Sequence, residues 1–185
     1  MASHATFNAL TYIQHQITDD AKREALKALS QFASFIRKTS DDIELVLRDS
    51  QKEYEMLQIY CTMEQWRFED RLSINIAPLP SNFSPKMTSF TLVPFAEHII
   101  LLGLAVQQEI TIDFTFEKKQ NQSIINATYN FNLHRSTSVQ KLTEKFSQEQ
   151  INRYNLLMER ITLLENKYPI KMILNKQIAQ LIITL

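Results

Sequence analysis

Tyr60-Cys61-Thr62-Met63-Glu64-Gln65-Trp66-Arg67-Phe68-Glu69-Asp70-Arg71-Leu72-Ser73-Ile74-Asn75-Ile76 is the stretch in which the chain changes character. Up to Phe68 the apolar residues keep helical spacing: Tyr54, Leu57, Cys61 and Phe68 lie down one side of a helix that begins near Ser50. Ser50 and Glu53 have the spacing of a capping box at its start. After Asp70 the period becomes two, with Leu72, Ile74 and Ile76 alternating with polar residues as in a half-buried strand. The Pro78 to Pro85 stretch then breaks the chain. The switch predicts an α+β protein with a boundary at residue 69: residues 1–69 helical, residues 70–185 a two-layer α/β sandwich.

Upstream, two helices are expected, from Ala5 to about Ile17 and from about Asp20 to Lys38, joined by a polar turn at Thr18 and Asp19. On the second, Ala25, Leu29, Phe32 and Ile36 recur at intervals of three and four and predict one buried face. Downstream, Phe95 to Val106 reads as a buried helix. Glu109 to Phe116 and Ser123 to Leu133 read as a hairpin turning at Lys118 to Gln122. A long helix is expected from about Gln148 to Asn166, with Tyr154, Leu157, Ile161 and Leu164 as its apolar stripe and Ser147 and Gln150 as a second capping pair. Strands over Ile170 to Leu174 and Ile178 to Leu185 close the chain around an Asn175-Lys176 turn. Helices packed on one mixed sheet are the economical arrangement for this half.

Composition narrows the function. The 185 residues carry 20 basic and 20 acidic side chains and are 44% hydrophobic. Such a chain folds, and with no run of like charge it points to protein partners rather than to nucleic acid or a membrane surface. One cysteine, Cys61, cannot form an internal disulfide, which fits a cytoplasmic setting. The longest apolar run, Ile99 to Val106, is too short to span a bilayer. The chain has one glycine, Gly103. Phosphate-cradling loops need bare backbone and positive φ, so a Gly-rich nucleotide loop is excluded. His15 and His134 have no cysteines or acids at metal-ligand spacing and read as surface residues, and no metal site is expected.

Gln58 through Leu72 resembles the Y-L-x-I-E-x-x-R-F-x-D-R-L motif of LytS-type sensor histidine kinases, with Tyr60, Glu64, Arg67, Phe68, Asp70, Arg71 and Leu72 matching outright. His4-Ala5-Thr6-Phe7-Asn8-Ala9-Leu10 is similar to the family's H-F-L-F-N-x-L box. Pro94 through Gly103 lines up with P-L-V-E-N-A-I-K-H-G, and Leu157 through Leu164 with V-R-E-R-L-x-L-L. The resemblance therefore covers nearly the whole chain. It implies dimerisation helices that form a homodimer, a second half resembling a histidine-kinase ATPase domain, and a response regulator receiver domain as partner. It also implies a parent protein in which a membrane-bound sensor precedes this region. His4 stands at the phospho-acceptor, Asn8 one turn on could orient a water for dephosphorylation, and Glu97 holds the position from which the family activates that histidine.

The departures fall at the nucleotide. His98 replaces the family's magnesium-binding asparagine, and imidazole is a poor substitute for a carboxamide oxygen toward a hard cation. The Asp-x-Gly that reads adenine corresponds to Asn130-Phe131-Asn132, and the glycines that open the phosphate lid to Ile151-Asn152-Arg153-Tyr154. His98 and Asn130 thus mark degenerate cofactor-binding positions, and ATP and Mg²⁺ binding are expected to be lost. By pattern alone His98 reads as a core histidine, and Glu64 and Arg67 as a structural i, i+3 ion pair. Three functions follow. In the first, His4 passes a phosphoryl group to or from a receiver aspartate. In the second, the chain is a pseudokinase scaffold that dimerises and binds a receiver without chemistry. The third, an active kinase, ranks last because three separate elements would each need compensation.

Overall fold

The computed structural model describes residues 2–40, 47–89, 91–132, 148–167 and 170–184. Helix α1 (Ala2–Thr18) and helix α2 (Lys22–Ser40) form a hairpin. Asp20, at φ 57°, takes the left-handed conformation that stops α1, and Ala21 N donates to Gln16 O at 2.8 Å to close the turn. The face that α2 buries is centred on Ala25, Ala28 and Phe35, with Phe32 and Ile36 partly covered, whereas Leu29 is exposed. The small Ala25 and Ala28 side chains let α1 approach closely, which rotates the contact line away from the bulkier Leu29.

Strand β1 (Leu47–Asp49) leads into α3 (Ser50–Phe68) and pairs antiparallel with β3 (Lys86–Thr88), a small ladder without a hydrophobic period long enough to read in sequence. Helix α3 buries Tyr54, Leu57 and Cys61 as expected, and also Met56, Tyr60 and Met63. It is wrapped on several sides: Tyr12 of α1 stacks on Trp66 at 5.1 Å, and the Tyr54 hydroxyl donates to Ala77 O beyond β2 (Leu72–Ile76) at 3.2 Å. One continuous apolar core runs from Ala9 and Phe35 through α3 into the sheet.

The sheet has the order β2-β4-β5-β7-β6, with β4 (Ile110–Lys119), β5 (Gln122–Tyr129), β6 (Ile170–Leu174) and β7 (Ile178–Thr184). β2 runs parallel to β4, and the chain crosses between them through α4 (Leu92–Val106); the other pairs are antiparallel. The pairing places Phe114 opposite Ala127 and Ala127 opposite Ala179, so alternate residues build one buried face. The opposite face carries polar contacts, Asn75 to Asp113 at 2.7 Å and Gln180 to Asn126 at 2.8 Å. Helix α5 (Gln148–Lys167) packs beside α4, burying Tyr154 and Ile161. A helical part followed by a mixed sheet in two layers is the architecture the change of period predicts.

Candidate functional site

The candidate site is built around α4, whose residues from Leu92 to Ala105 are all buried. Its N-terminus is held from another helix. The Glu53 carboxylate accepts from Thr91 N at 2.8 Å and Leu92 N at 3.2 Å, supplying the negative charge that a helix start favours. Arg48, equally buried, pairs with Glu53 at 3.3 Å and donates to Lys38 O at the end of α2 at 3.1 Å. The Ser50 hydroxyl donates to Phe83 O at 3.1 Å. The expected capping box at the start of α3 therefore does not form: Ser50 and Glu53 both serve partners distant in sequence, because burial there leaves groups that only α3 can satisfy.

Midway along α4, Glu97 and His98 are both buried. The His98 ring stacks on Tyr154 of α5, with centroids 5.5 Å apart and planes at 19°. Tyr154 comes from the stretch that aligns with the lid, so two of the departing elements meet in one ring stack. The third lies one turn further along α4. Phe131 is buried with its ring 2.7 Å from where a Cβ on Gly103 would stand, and stacks on Tyr129 at 4.3 Å. The single glycine thus serves an aromatic ring rather than a phosphate. Asn130 is exposed and extends the β4–β5 ladder, its Oδ1 accepting from Thr111 N at 2.9 Å and its own N–H donating to Thr111 O at 3.2 Å. Burial holds the Tyr129 phenol, which donates to Asn175 O at 2.7 Å, up to about 12.

These side chains do not fit a Mg·ATP complex. The His98 imidazole is committed to an aromatic stack, the Asn130 carboxamide oxygen already accepts from Thr111 N, and the Phe131 ring against Gly103 leaves no bare backbone there. Among the described residues no group of three or more His, Cys, Asp or Glu is placed to hold a metal. No helix among them is long and apolar enough to cross a membrane.

On α3, Arg67 Nη1 donates to the buried Glu64 at 3.3 Å, and its guanidinium lies 4.5 Å over the Phe68 ring. The pair is structural in its setting. Burial, and then the Glu64 carboxylate, push the Cys61 thiol far up, so it is inert as a nucleophile. His4 and Asn8 belong to α1, but their side chains lie outside the described ones, as does His134 altogether. His15, near the end of α1, is exposed, with Nδ1 3.0 Å from an oxygen of the exposed Asp19 carboxylate. Leu10 and Ile17 of α1 and Leu26 and Leu29 of α2 are exposed.

The structure brings His98 and the lid-aligned stretch together and places Asn130 at the end of β5, bonded to Thr111. Sequence reasoning did not pair His98 with Tyr154, Phe131 with Gly103 or Arg48 with Glu53. A lone glycine in an otherwise apolar helix was the one available signal, and Arg48 carried none.

No curated protein shows significant sequence similarity to the chain. Among solved structures, similar chains include the catalytic domain of histidine kinase ThkA, at 8% identity over 77% of this chain and 96% of that one, with a TM-score of 0.49. Histidine kinase ThkA in complex with response regulator protein TrrA aligns at 10% identity, TM-score 0.47, over 98% of this chain and 59% of that one. Acinetobacter baumannii histidine kinase AdeS aligns at 11% identity over 98% and 97%, TM-score 0.46. The sequence model of the histidine kinase family matches residues 1–72, the span of α1, α2 and α3 up to the first residue of β2.

Proposed function

We propose that this chain is a two-component signalling module of the LytS type, in which His4 exchanges a phosphoryl group with the receiver domain of a response regulator and the second half no longer holds ATP. Residues 1–69 supply dimerisation and phosphotransfer; residues 70–185 serve as a docking body. The match of residues 1–72 to the histidine kinase family supports the first part, together with the retained His4, Phe7, Asn8 and Leu10. The observation that carries the second is the stack of His98 on Tyr154 at 5.5 Å, which joins side chains from two stretches that would otherwise face a nucleotide. Phosphoryl exchange with an aspartyl phosphate relies mainly on positioning and charge stabilisation, so it does not require the nucleotide half to be active. The setting of such a module is cytoplasmic.

Calorimetric titration with Mg·ATP, run beside an ordinary histidine kinase, should give no binding up to millimolar nucleotide. The same samples should take up no label from [γ-³²P]ATP. Binding with label on His4 refutes the loss of ATP.

The scaffold reading, in which the chain dimerises and sequesters a receiver without chemistry, draws on the exposed Leu10, Ile17, Leu26 and Leu29 of the hairpin, which need no acceptor histidine. His4→Ala separates the two: it abolishes transfer from a phosphorylated receiver under the first reading and leaves receiver binding untouched under the second.

A further inference from the structure

We propose that the outer face of the sheet is a self-association surface, on which a second copy of this chain stacks about a two-fold axis. The contact involves neither phosphoryl transfer nor the hairpin helices, so it stands or falls apart from the function proposed above.

The strand register lays out the face. Glu117 on β4 lies opposite Ile124 on β5, Ile124 opposite Ile182 on β7, and Ile182 opposite Lys171 on β6. Two residues along each strand, the same face carries Thr115, Asn126, Gln180 and Ile173. Helices α3, α4 and α5 join the continuous core together with the other face. Ile124 is buried but stands outside that core, and the partly exposed Ile173, Ile178 and Ile182 on its face stand outside it too. One row of the sheet therefore has two isoleucines at its centre and opposite charges at its ends.

That order is self-complementary. Two such sheets stack about 10 Å apart with their strands about 30° from parallel. A two-fold axis along the strands, midway between β5 and β7, then sets Glu117 of each copy over Lys171 of the other and Ile124 over Ile182. Within one chain Glu117 and Lys171 are three strand spacings apart, about 14 Å at the backbone, which is too far to pair. Glu117 is held in place, with Oε2 2.8 Å from Lys119 Nζ and Oε1 accepting from Asn126 Nδ2 at 3.2 Å. Lys171 is exposed and has no acidic partner among the described residues. In the next row Gln180 already donates to Asn126 at 2.8 Å, and stacking preserves that bond. The patch is smaller than the roughly 800 Å² per partner that a stable complex buries. Association is therefore weak, and strengthens where copies are already held close together.

Sedimentation equilibrium of the whole chain, from micromolar to near-millimolar concentration, tests the contact. Wild type, Glu117→Lys, Lys171→Glu, the double variant and an equimolar mixture of the two single variants are compared, with thermal melts to confirm folding. Wild type should show a concentration-dependent association step. Each single variant sets like charges together at two symmetric points and should weaken that step about tenfold. The double variant restores opposite charges between copies, and the mixture restores them between unlike chains. Both should return to within about threefold of wild type. Ile182→Thr, which keeps the β-branched strand residue but removes apolar surface, is a second probe and should weaken the step without altering any charge. No association in wild type overturns the proposal. So does an association step that none of the variants changes, since the contact then lies on another surface. Equal weakening by the single and double variants also overturns it, because Glu117 and Lys171 then do not meet across the axis.

Discussion

Gly103 shows how one residue can change meaning between a sequence motif and a packed core. In a solvent-facing helix, Gly→Ala stabilises by about 1 kcal/mol. Here the added Cβ would stand 2.7 Å from the Phe131 ring and 2.9 Å from Ile110 Cδ1, both in the core. Overpacking of this kind costs about 1–3 kcal/mol. Gly103→Ala should therefore lower the urea midpoint, and the paired change Phe131→Leu should restore part of the loss. Glu55 offers a second test at this scale. Its hydrogen bond to Lys38 holds its carboxyl below the usual value of 4.5. A depressed folded pKa contributes stability that is present above 4.5 and is lost as pH falls through the lower folded value. Thermal melts of wild type and Glu55→Gln should differ by a constant small amount at neutral pH and converge in acid. Convergence on raising the pH instead would contradict the assignment.

Three helices meet at the Arg48–Glu53 pair: α2 through Lys38 O, α3 through Glu53 itself, and α4 through Thr91 N and Leu92 N. Both side chains are fully buried, so removing one leaves a charge without its partner, at a cost of about 3–5 kcal/mol. Glu53→Ala should destabilise by that amount and expose the start of α4 to hydrogen exchange before the rest of the chain. Replacing both, Arg48→Met with Glu53→Leu, should recover much of the loss, because desolvation of two charges offsets much of their attraction. Equal destabilisation by the single and double variants would mean that the contacts to Lys38 O and the α4 amides matter more than the pair.

At the scale of the whole molecule, the helical hairpin and the sheet share one core through α3, yet the hairpin leaves Ile17 62% and Leu26 65% exposed. Exposed apolar side chains on the two paired helices offer a partner a place to bind. In the homodimer proposed for this module, Ile17→Glu with Leu26→Glu should halve the mass measured by light scattering without lowering the thermal midpoint of the remaining monomer. A monomeric wild type at micromolar concentration would remove the dimer from the proposal. An open groove of about 290 Å³ runs between α2 and α3, lined by Gln31, Lys38, Glu55 and Gln58.

Elements with long regular periods were legible in the residues: α3, the alternation of Leu72, Ile74 and Ile76, the β4–β5 hairpin and the closing strands lie within a few residues of their expected bounds. The order of the motif residues His4, Asn8, Glu97, His98 and Asn130 belongs to the sequence alone, because a motif is a one-dimensional record of spacing, and their roles belong to the proposal. Backbone periodicity is local, set by side chains three or four apart on a helix and two apart on a strand. Side-chain partnership is not. That Glu53 would cap α4 rather than its own helix, that Tyr154 would lie on His98, and that Phe131 would need Gly103 all depend on which surfaces meet when the layers close. Their sequence separations run to dozens of residues, and each contact is chosen by what a buried polar group or a close-packed ring must find nearby. Secondary structure and motif order thus came from local chemistry, while the filling of the site came from packing.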